Sequence, residues 1–369
     1  MENVTDQPTA ETPVGYEYDY SGDFSDFAKA RPCRPVVVQN FARVFAPVLY
    51  SLVLVLGVLG NAMVILVIGR YKKARRTVTD TFILHLAAAD LLLVVTLPFW
   101  AVEAVWGWVF GPATCKIVGA VFALNLYSGI LFLACISFDR YLAIVHAVHM
   151  YKKRRPAYIH ATCLLVWLFC LALATVELVF REEYHSVYLN STVCTYGFDP
   201  DSARAWHLAL RLAHHLVGFF APMAAMLYCY CLIFRTLCRA QMLERQKTLK
   251  VVVAIVTVFV GCWLPYNAVL FADTLRSLDG LAVSSCGALN ALDIGRTVTQ
   301  SLGLVHSCLN PLLYAFIGVK FRREALGALA GLGCRRDKAV AARRRAGRNG
   351  RASSAISDSD TSTSYSMMW

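Results

Sequence analysis

Charged residues are scarce in this sequence. Asp, Glu, Lys and Arg make up 16% of the 369 residues, whereas soluble domains carry about 25%. Hydrophobic residues reach 57% and come in blocks, which indicates a membrane protein rather than a large soluble core. No short apolar core follows a basic start at Met1, so we see no cleaved signal peptide and expect the first span to direct insertion.

Several chemical signatures are also lacking. The sequence shows no nucleophile motif, metal-ligand cluster or phosphate-binding loop, so an enzyme is not indicated. No metal is expected apart from a sodium ion considered below. We also find no inverted internal repeat of the kind that marks many transporters.

Seven apolar stretches are each long enough to cross a bilayer, which takes about 20 helical residues. We number them as spans 1 to 7. The sequence therefore predicts an all-α membrane protein, with an acidic N-terminal segment (1–42), a seven-transmembrane helix bundle (43–318), a short amphipathic eighth helix (319–334) and a disordered Ser/Thr-rich tail (335–369). The spans cover about 43–69, 79–102, 113–138, 157–180, 206–234, 249–272 and 291–317.

Basic residues set the predicted orientation. Lys and Arg cluster after span 1 (RYKKARR), after span 3 (YKKRRP), between spans 5 and 6, and after span 7. Cytoplasmic loops carry such clusters, so we expect a multi-pass plasma-membrane protein with an extracellular N-terminus. The net charge of +12 is then a cytoplasmic feature and does not indicate nucleic-acid binding.

Four cysteines fall on the predicted extracellular side, where oxidising conditions favour disulfides. They are Cys33, Cys115, Cys194 and Cys286. Four cysteines allow three pairings. If spans 1 and 7 are neighbours, the pairs are Cys33–Cys286 and Cys115–Cys194.

Polar residues inside apolar spans are costly and are candidate functional residues. Asp90 is the clearest case, with either a structural hydrogen-bonding role or a role as a cation or proton site. Asn125, His306 and Asn310 are candidate partners, and Asn61 could also contribute. No cofactor is expected except an allosteric sodium ion at Asp90. Prolines in four spans are expected to free backbone carbonyls and place bends: Pro98, Pro222, Pro265 and Pro311.

The stretch ISFDRYLAIVHA places Asp139 and Arg140 side by side at the end of span 3. An arginine there could reach out to lipid headgroups. Alternatively, Asp139 could bend back to offset the charge of Arg140.

The motifs together resemble those of rhodopsin-class G-protein-coupled receptors. DRYLAIV follows span 3, CWLPY lies in span 6, and NPLLY lies in span 7. TLPFW, WVFG and HSCLNPLLYAFIGVKFR resemble chemokine receptors more narrowly, as does the second outer cysteine pair. FARVFAPVLYSL, TDTFILHLAAAD and VFGPATCK resemble the CXC type among them. Two departures stand out: many chemokine receptors have Glu where this chain has Gln300, and span 4 lacks the proline often found near Glu177.

This resemblance implies a pocket near the outer ends of the spans that accepts the N-terminus of a small basic CXC chemokine, and a G-protein site at the inner end. The inhibitory class of heterotrimeric G protein, calcium signalling and chemotaxis are the expected outputs. The implied pocket residues are Trp100, Glu103, Phe122, Glu177, Tyr266, Asp273, Asp293 and Gln300. The implied activation residues are Asp139, Arg140, Tyr141, Tyr230, Trp263, Pro265, Asn310, Pro311 and Tyr314. In this setting we expect Asp139 to hold Arg140 in a resting state, and Tyr230 or Tyr314 to receive Arg140 when span 6 moves out.

The two termini carry further candidate sites. Tyr16, Tyr18 and Tyr20 stand among acids that suit tyrosine sulfation, and this segment could capture a basic chemokine; a plain acidic tail is the alternative. Asn3 and Asn190 are glycosylation acceptors. Cys334 is a candidate for palmitoylation, which would add contacts with membrane lipid. A receptor kinase and then arrestin are expected to act on the tail at Ser353, Ser354, Ser357, Ser359, Thr361, Ser362, Thr363, Ser364 and Ser366.

Two other functions are compatible with parts of this pattern. A seven-span transporter or channel would explain Asp90, but not the acidic tyrosine segment or DRY. A scavenging chemokine receptor would bind without G-protein coupling; such receptors often have an altered DRYLAIV, which is intact here.

Overall fold

Seven helical spans make up most of the computed structural model, which describes residues 36–70, 77–146, 156–186, 190–240, 247–279, 285–317 and Phe321. The predicted all-α bundle is confirmed. The helices run Val36–Gly69 in span 1, Val78–Val94 and Leu97–Trp106 in span 2, Gly111–Val145 in span 3, Pro156–Phe180 in span 4, Pro200–His215 and Ala221–Arg239 in span 5, Lys247–Asp279 in span 6, and Cys286–Ile317 in span 7.

Local sequence explains several helix starts and breaks. Thr77 caps span 2, because its side chain accepts from the Asp80 N–H while the Asp80 carboxylate accepts from the Thr77 N–H. Span 2 breaks at residues 95–96, ahead of Pro98. Span 5 has one π-helical turn, Leu216–Phe220, just before Pro222. These two prolines therefore stand at irregular turns, as the sequence predicts.

Pro265 and Pro311 lie inside continuous helices. Because proline has no N–H, Pro311 leaves the Ser307 carbonyl without its helical partner. The Asn61 side chain donates to that carbonyl at 2.8 Å and so ties span 1 to span 7. Gly60 permits the approach, since a Cβ there would lie only 2.8 Å from the Pro311 side chain.

The spans pack in a ring around span 3. Span 1 contacts spans 2 and 7, span 3 contacts spans 2, 4 and 5, and spans 6 and 7 lie side by side. The largest buried cluster joins side chains from spans 1 to 7 around Phe132, Ile136 and Phe259. Spans 1 and 7 are thus neighbours, which is the condition that the sequence set for the Cys33–Cys286 pairing.

The bundle's outer surface suits a bilayer. Of the helices in the described ranges, six are long and apolar enough to cross a membrane. Span 7 is more polar, because it carries Asp293, Arg296 and Gln300, and it packs between spans 1 and 6. Large apolar side chains such as Val48, at 70% exposure, and Leu165, at 66%, point away from the bundle.

A β-hairpin between spans 4 and 5 was not predicted. Strand β1 (Arg181–Ser186) pairs antiparallel with β2 (Ser191–Tyr196), with Arg181 opposite Tyr196. We call the end of the bundle that carries this hairpin the hairpin end, and the other the opposite end. Gly107 has φ of 83° and lies so close to Thr192 that a Cβ would be 2.8 Å from its carbonyl oxygen, so glycine is needed where span 2 meets β2.

Candidate functional site

The disulfide between Cys115 and Cys194 fixes the hairpin over the bundle. Cys115 starts span 3 and Cys194 lies in β2, so the bond ties the hairpin to the centre of the ring; this pairing is confirmed. Glu103 adds a second anchor, because its carboxylate accepts the Cys194 N–H at 2.7 Å. The backbone N–H of Trp108 donates to the Thr192 carbonyl at 2.7 Å. Glu103, predicted to face ligand, therefore supports the hairpin.

A cavity of about 440 Å³ lies beneath the hairpin. Spans 3 to 7 and both strands of the hairpin supply its walls. Four of the predicted ligand residues line it, together with Trp263 of CWLPY; the four are Phe122, Glu177, Tyr266 and Gln300.

A cluster of three polar side chains forms one wall of this cavity. The Glu177 carboxylate accepts from both the Arg181 guanidinium and the Tyr196 hydroxyl. The guanidinium lies over the Trp100 ring at 5.4 Å and over the Tyr196 ring at 4.9 Å, within range of cation–π attraction. Burial, and then the neighbouring Glu177 carboxylate, raise the pKa of Tyr196 far above its ordinary value, so this phenol remains a donor at neutral pH.

The predicted acids at the other side of the cavity differ in their surroundings. Asp273 on span 6 is ion-paired with Arg211 of span 5 and with Arg276, each at 2.8 Å. Asp293 on span 7 is exposed. One turn further along, Arg296 lines the cavity and has no carboxylate within 4.0 Å among the described residues. Glu177, which lines the cavity, and Asp273, which does not, are thus both already paired with arginines of the same chain.

Below the cavity, a chain of polar contacts runs into the bundle. The Trp263 indole N–H donates to His306 Nδ1 at 3.2 Å, and His306 Nε2 lies 3.6 Å from an oxygen of Asp90. The fully buried Asp90 carboxylate accepts from Asn310 at 2.9 Å and from Asn125 at 3.3 Å. The structure therefore brings together the four polar residues that the sequence grouped, and Asn61 bonds to backbone carbonyls instead.

The sodium ion expected at Asp90 does not fit this arrangement. Sodium prefers oxygen ligands, as hard cations do, but the groups that face the carboxylate are nitrogen atoms of Asn125, Asn310 and His306. Of these, the two asparagine N–H groups are hydrogen-bonded to the carboxylate, and His306 Nε2 is not. The sodium ion stays a prediction, and no step below depends on it.

At the opposite end, Asp139 and Arg140 form the ion pair that the sequence suggests, at 2.5 Å. The Thr79 hydroxyl of span 2 also donates to Asp139, at 3.1 Å. Tyr230 on span 5 shares a 2.8 Å hydrogen bond with Ser137, and Tyr141 contacts His146 at 2.9 Å. The buried Tyr314 hydroxyl has no partner within the described part of the chain. Neither of the tyrosines proposed to receive Arg140 is hydrogen-bonded to it.

Sequence reasoning missed several residues of these two regions. Arg181 stands four residues after Glu177 and Arg296 four residues before Gln300, so helical spacing could have indicated both. Nothing in the sequence indicates that Thr79 reaches Asp139, 60 residues away. Other missed cavity residues are Tyr196, His207, Arg211 and His214.

Some predicted sites fall outside the described residues. Cys286 is disulfide-bonded, but Cys33 lies outside the described ranges, so this pairing stays a prediction. Asn190 stands at the hairpin turn with φ of 47° and is exposed. Outside the described ranges lie Asn3, Tyr16, Tyr18, Tyr20, Cys334 and the phosphorylation candidates from Ser353 to Ser366.

Comparison with known proteins agrees with this architecture. Residues 60–314 match the model of the 7 transmembrane receptor (rhodopsin family). The chain is 45% identical to the C-X-C chemokine receptor type 3 of Bos taurus and 46% identical to that of Homo sapiens, each over 86% of this chain and 85% of the relative. It is 43% identical to the C-X-C chemokine receptor type 2 of Homo sapiens, over 85% of this chain and 86% of the relative. The chain therefore belongs to the rhodopsin family of seven-transmembrane receptors and, within it, to the CXC chemokine receptors.

Proposed function

We propose that this receptor binds a CXC chemokine at the hairpin end and activates a heterotrimeric G protein at the opposite end. The observation that carries the proposal is that one bundle has a pocket under a disulfide-fixed hairpin at one end and the Asp139–Arg140 ion pair at the other. The basic loops support an extracellular N-terminus, which places the hairpin end outside the cell. Coupling to the inhibitory class, calcium release and chemotaxis rest on the family resemblance.

Capture of the chemokine is the first proposed step. The segment GYEYDYSGDFSDF carries alternating acids and tyrosines, and a basic chemokine is attracted to such a segment at long range. Sulfation of Tyr16, Tyr18 and Tyr20 would add fixed negative charge.

Entry of the chemokine's N-terminus into the cavity is the second step. Since Glu177 is paired with Arg181, and Asp273 with Arg211, a cationic group of the ligand must displace an arginine to reach either carboxylate. An acidic group of the ligand would instead meet Arg296, which has no ion pair among the described residues. Exchange of these partners is therefore how the ligand would change contacts between spans 4, 5, 6 and 7.

Transmission to the opposite end is the third step. Trp263 lines the cavity floor and bonds to His306, which faces Asp90. A shift of Trp263 would thus disturb the polar contacts that join spans 2, 3, 6 and 7. Outward movement of span 6 would then let Arg140 leave Asp139 and pair with Tyr230 or Tyr314, which opens the G-protein site.

The test expresses the chain in cells that lack other chemokine receptors and applies a panel of CXC chemokines, with binding, cyclic AMP and calcium as readouts. Arg140→Ala is expected to bind chemokine as the unmodified receptor does but to lose G-protein signalling. Arg70→Ala, which removes an exposed arginine at the same end, is the matched control and is expected to signal normally.

Three outcomes separate the candidate functions. Binding with signalling that depends on Arg140 supports the proposal. Binding of a chemokine with no signalling from the unmodified receptor would identify a scavenging receptor. Failure of the whole panel to bind at confirmed surface expression would refute chemokine binding.

A further inference from the structure

Spans 5 and 6 diverge towards the opposite end of the bundle. Near the hairpin end, the backbone of Pro200–His215 in span 5 lies close to span 6, whereas that of Ala221–Arg239 makes almost no close approach to it. At the opposite end the two spans meet through side chains, where Ile233 and Leu237 pack in one cluster with Leu249. The separation leaves a cleft with a cavity of about 700 Å³, which we call the 5–6 groove. It is distinct from the pocket under the hairpin and shares no lining residue with it.

The walls of the 5–6 groove are almost entirely apolar. Span 5 supplies Met223, Met226, Leu227, Tyr230, Ile233 and Phe234, and span 6 supplies Leu249, Val253, Val256 and Val260. The Tyr230 hydroxyl is turned to Ser137 of span 3, so its ring faces the groove as an apolar surface. Such walls suit a flexible hydrocarbon chain and offer few hydrogen bonds to a polar ligand.

The groove opens onto the membrane-facing surface. Among its lining residues, Leu227 is 58% exposed, Phe234 55% and Val253 41%. In a membrane protein, exposed apolar side chains at this depth face lipid rather than water. Gly261 also lines the groove, and a Cβ added there would meet nothing within 4 Å. The groove is thus open space that bilayer components reach directly.

Lys250 gives the groove a charged end. It lines the groove, is exposed, and makes no ion pair with any described residue. Arg235 and Arg239 of span 5 are also exposed at the same end of the bundle, but neither lines the groove. An apolar cleft that ends at an exposed lysine matches a molecule with a long hydrocarbon chain and an anionic head.

We propose that the 5–6 groove binds an anionic phospholipid, with one acyl chain between spans 5 and 6 and the headgroup phosphate on Lys250. The inner leaflet is rich in such lipids, and the basic loops place this end of the bundle in the cytoplasm. The proposal needs only the membrane bundle and stands whether or not the chemokine and G-protein assignments hold.

The test uses the full receptor in phospholipid nanodiscs that contain phosphatidylserine with a photoreactive group in its acyl chain. After irradiation, crosslinked peptides are mapped by mass spectrometry. Labelling is expected on the segments that contain Met226 and Val253, and it should fall when unlabelled phosphatidylserine, but not phosphatidylcholine, is added.

Two substitutions probe the two halves of the ligand. Lys250→Gln is expected to lower groove labelling about fivefold, the loss that one lysine at an anionic surface implies. Gly261→Leu fills the cleft and is expected to abolish labelling. Arg239→Gln, an exposed arginine outside the lining, and Gly295→Leu, an equally open helical glycine on span 7, are the matched controls and should label as the unmodified receptor does.

The results that would overturn the proposal are specific. Equal labelling by a photoreactive phosphatidylcholine or sterol would show that the groove takes any lipid, without a headgroup contact. An equal loss in Lys250→Gln and Arg239→Gln would show general attraction to the basic surface. Labelling of Gly261→Leu at the unmodified level would place the acyl chain elsewhere. Thermal unfolding of each variant checks that it is folded.

Discussion

At the scale of single residues, buried charges in this receptor are compensated within the chain. Asp90 accepts from two asparagines, Glu177 is bonded to Arg181 and Tyr196, and Asp139 accepts from Arg140 and Thr79. A charge buried without such partners is costly in a membrane bundle. If the receptor changes conformation at one of these carboxylates, the carboxylate must therefore gain a new donor when it loses the old one.

The Asp139–Arg140 pair yields a first prediction. Replacing Asp139 by Asn removes the negative charge but keeps a hydrogen-bonding oxygen. Because a hydrogen bond to a charged group contributes about 1 kcal/mol more than a neutral one, the resting state should be weakened by about that amount, or about fivefold in population. Ligand-free G-protein activation, measured by nucleotide exchange at matched expression, is expected to rise by about this factor.

Two companion variants make this prediction stricter. Thr79→Val removes one donor to Asp139 and should raise ligand-free activity in the same direction by less. Thr236→Val on span 5 also removes a threonine hydroxyl, but this hydroxyl donates to the Leu232 carbonyl of its own helix, so its activity should stay at the basal level. A Thr79→Val receptor more active than Asp139→Asn would contradict the proposed restraint.

The Glu177–Arg181 pair yields a prediction for stability. Their side chains are 11% and 15% exposed, so removing one partner leaves a mostly buried charge unpaired. Glu177→Gln should lower the free energy of unfolding by about 3 kcal/mol, as expected for a broken buried pair. The double variant Glu177→Gln, Arg181→Gln should be more stable than either single variant, measured by thermal unfolding in detergent. Strict additivity of the two losses would show that they do not depend on each other.

At the scale of elements, the β-hairpin depends on contacts with spans 2, 3 and 4. Besides the Cys115–Cys194 bond and Glu103, Lys116 donates to the Leu178 and Val179 carbonyls at the end of span 4, at 3.0 and 2.9 Å. The hairpin contributes Cys194, Thr195 and Tyr196 to the pocket. Its position therefore determines the shape of the proposed chemokine site.

A graded series tests this dependence. Cys115→Ser, Cys194→Ser and the double variant are expected to lose chemokine binding equally, because each removes the same bond. Glu103→Gln keeps the hydrogen bond but loses its charge, so affinity should fall by about fivefold. Radioligand displacement at matched surface expression measures both. A single cysteine variant that binds normally would show that the tether is dispensable.

At the scale of the whole molecule, the pocket and the Asp139–Arg140 pair lie at opposite ends of span 3. The contacts from Trp263 through His306 extend from the pocket as far as Asp90. None of these residues belongs to the tail (335–369), so functions assigned to the tail should be separable from ligand binding.

The tail prediction follows from its composition. Serines and threonines between Ser353 and Ser366 surround Asp358 and Asp360, and phosphates added there would form a dense anionic strip that basic residues of arrestin could bind. Truncation after Arg351 is expected to reduce arrestin recruitment and internalisation while chemokine affinity stays unchanged. An Ala replacement of all nine candidates should act in the same way; normal recruitment by it would show that phosphates on these residues are not needed.

The sequence by itself determined the class of this protein. Length and hydropathy defined the spans, because each must cover the thickness of a bilayer with apolar residues. Pro98 and Pro222 marked irregular turns for a local reason, the missing N–H. The grouping of Asp90 with Asn125, His306 and Asn310 was also predictable, since polar groups in apolar spans need one another.

Only the tertiary structure decided which charges meet. Arg211 pairs with Asp273 on another span, and Thr79 reaches Asp139 across 60 residues; such contacts depend on how helices pack and rotate, which local pattern does not encode. Because of this packing, Glu103, expected to contact ligand, instead accepts a hydrogen bond from the hairpin. Arg296 likewise lines the pocket without an acidic partner among the described residues. It also left few close backbone contacts between spans 5 and 6 at the opposite end, where the 5–6 groove lies.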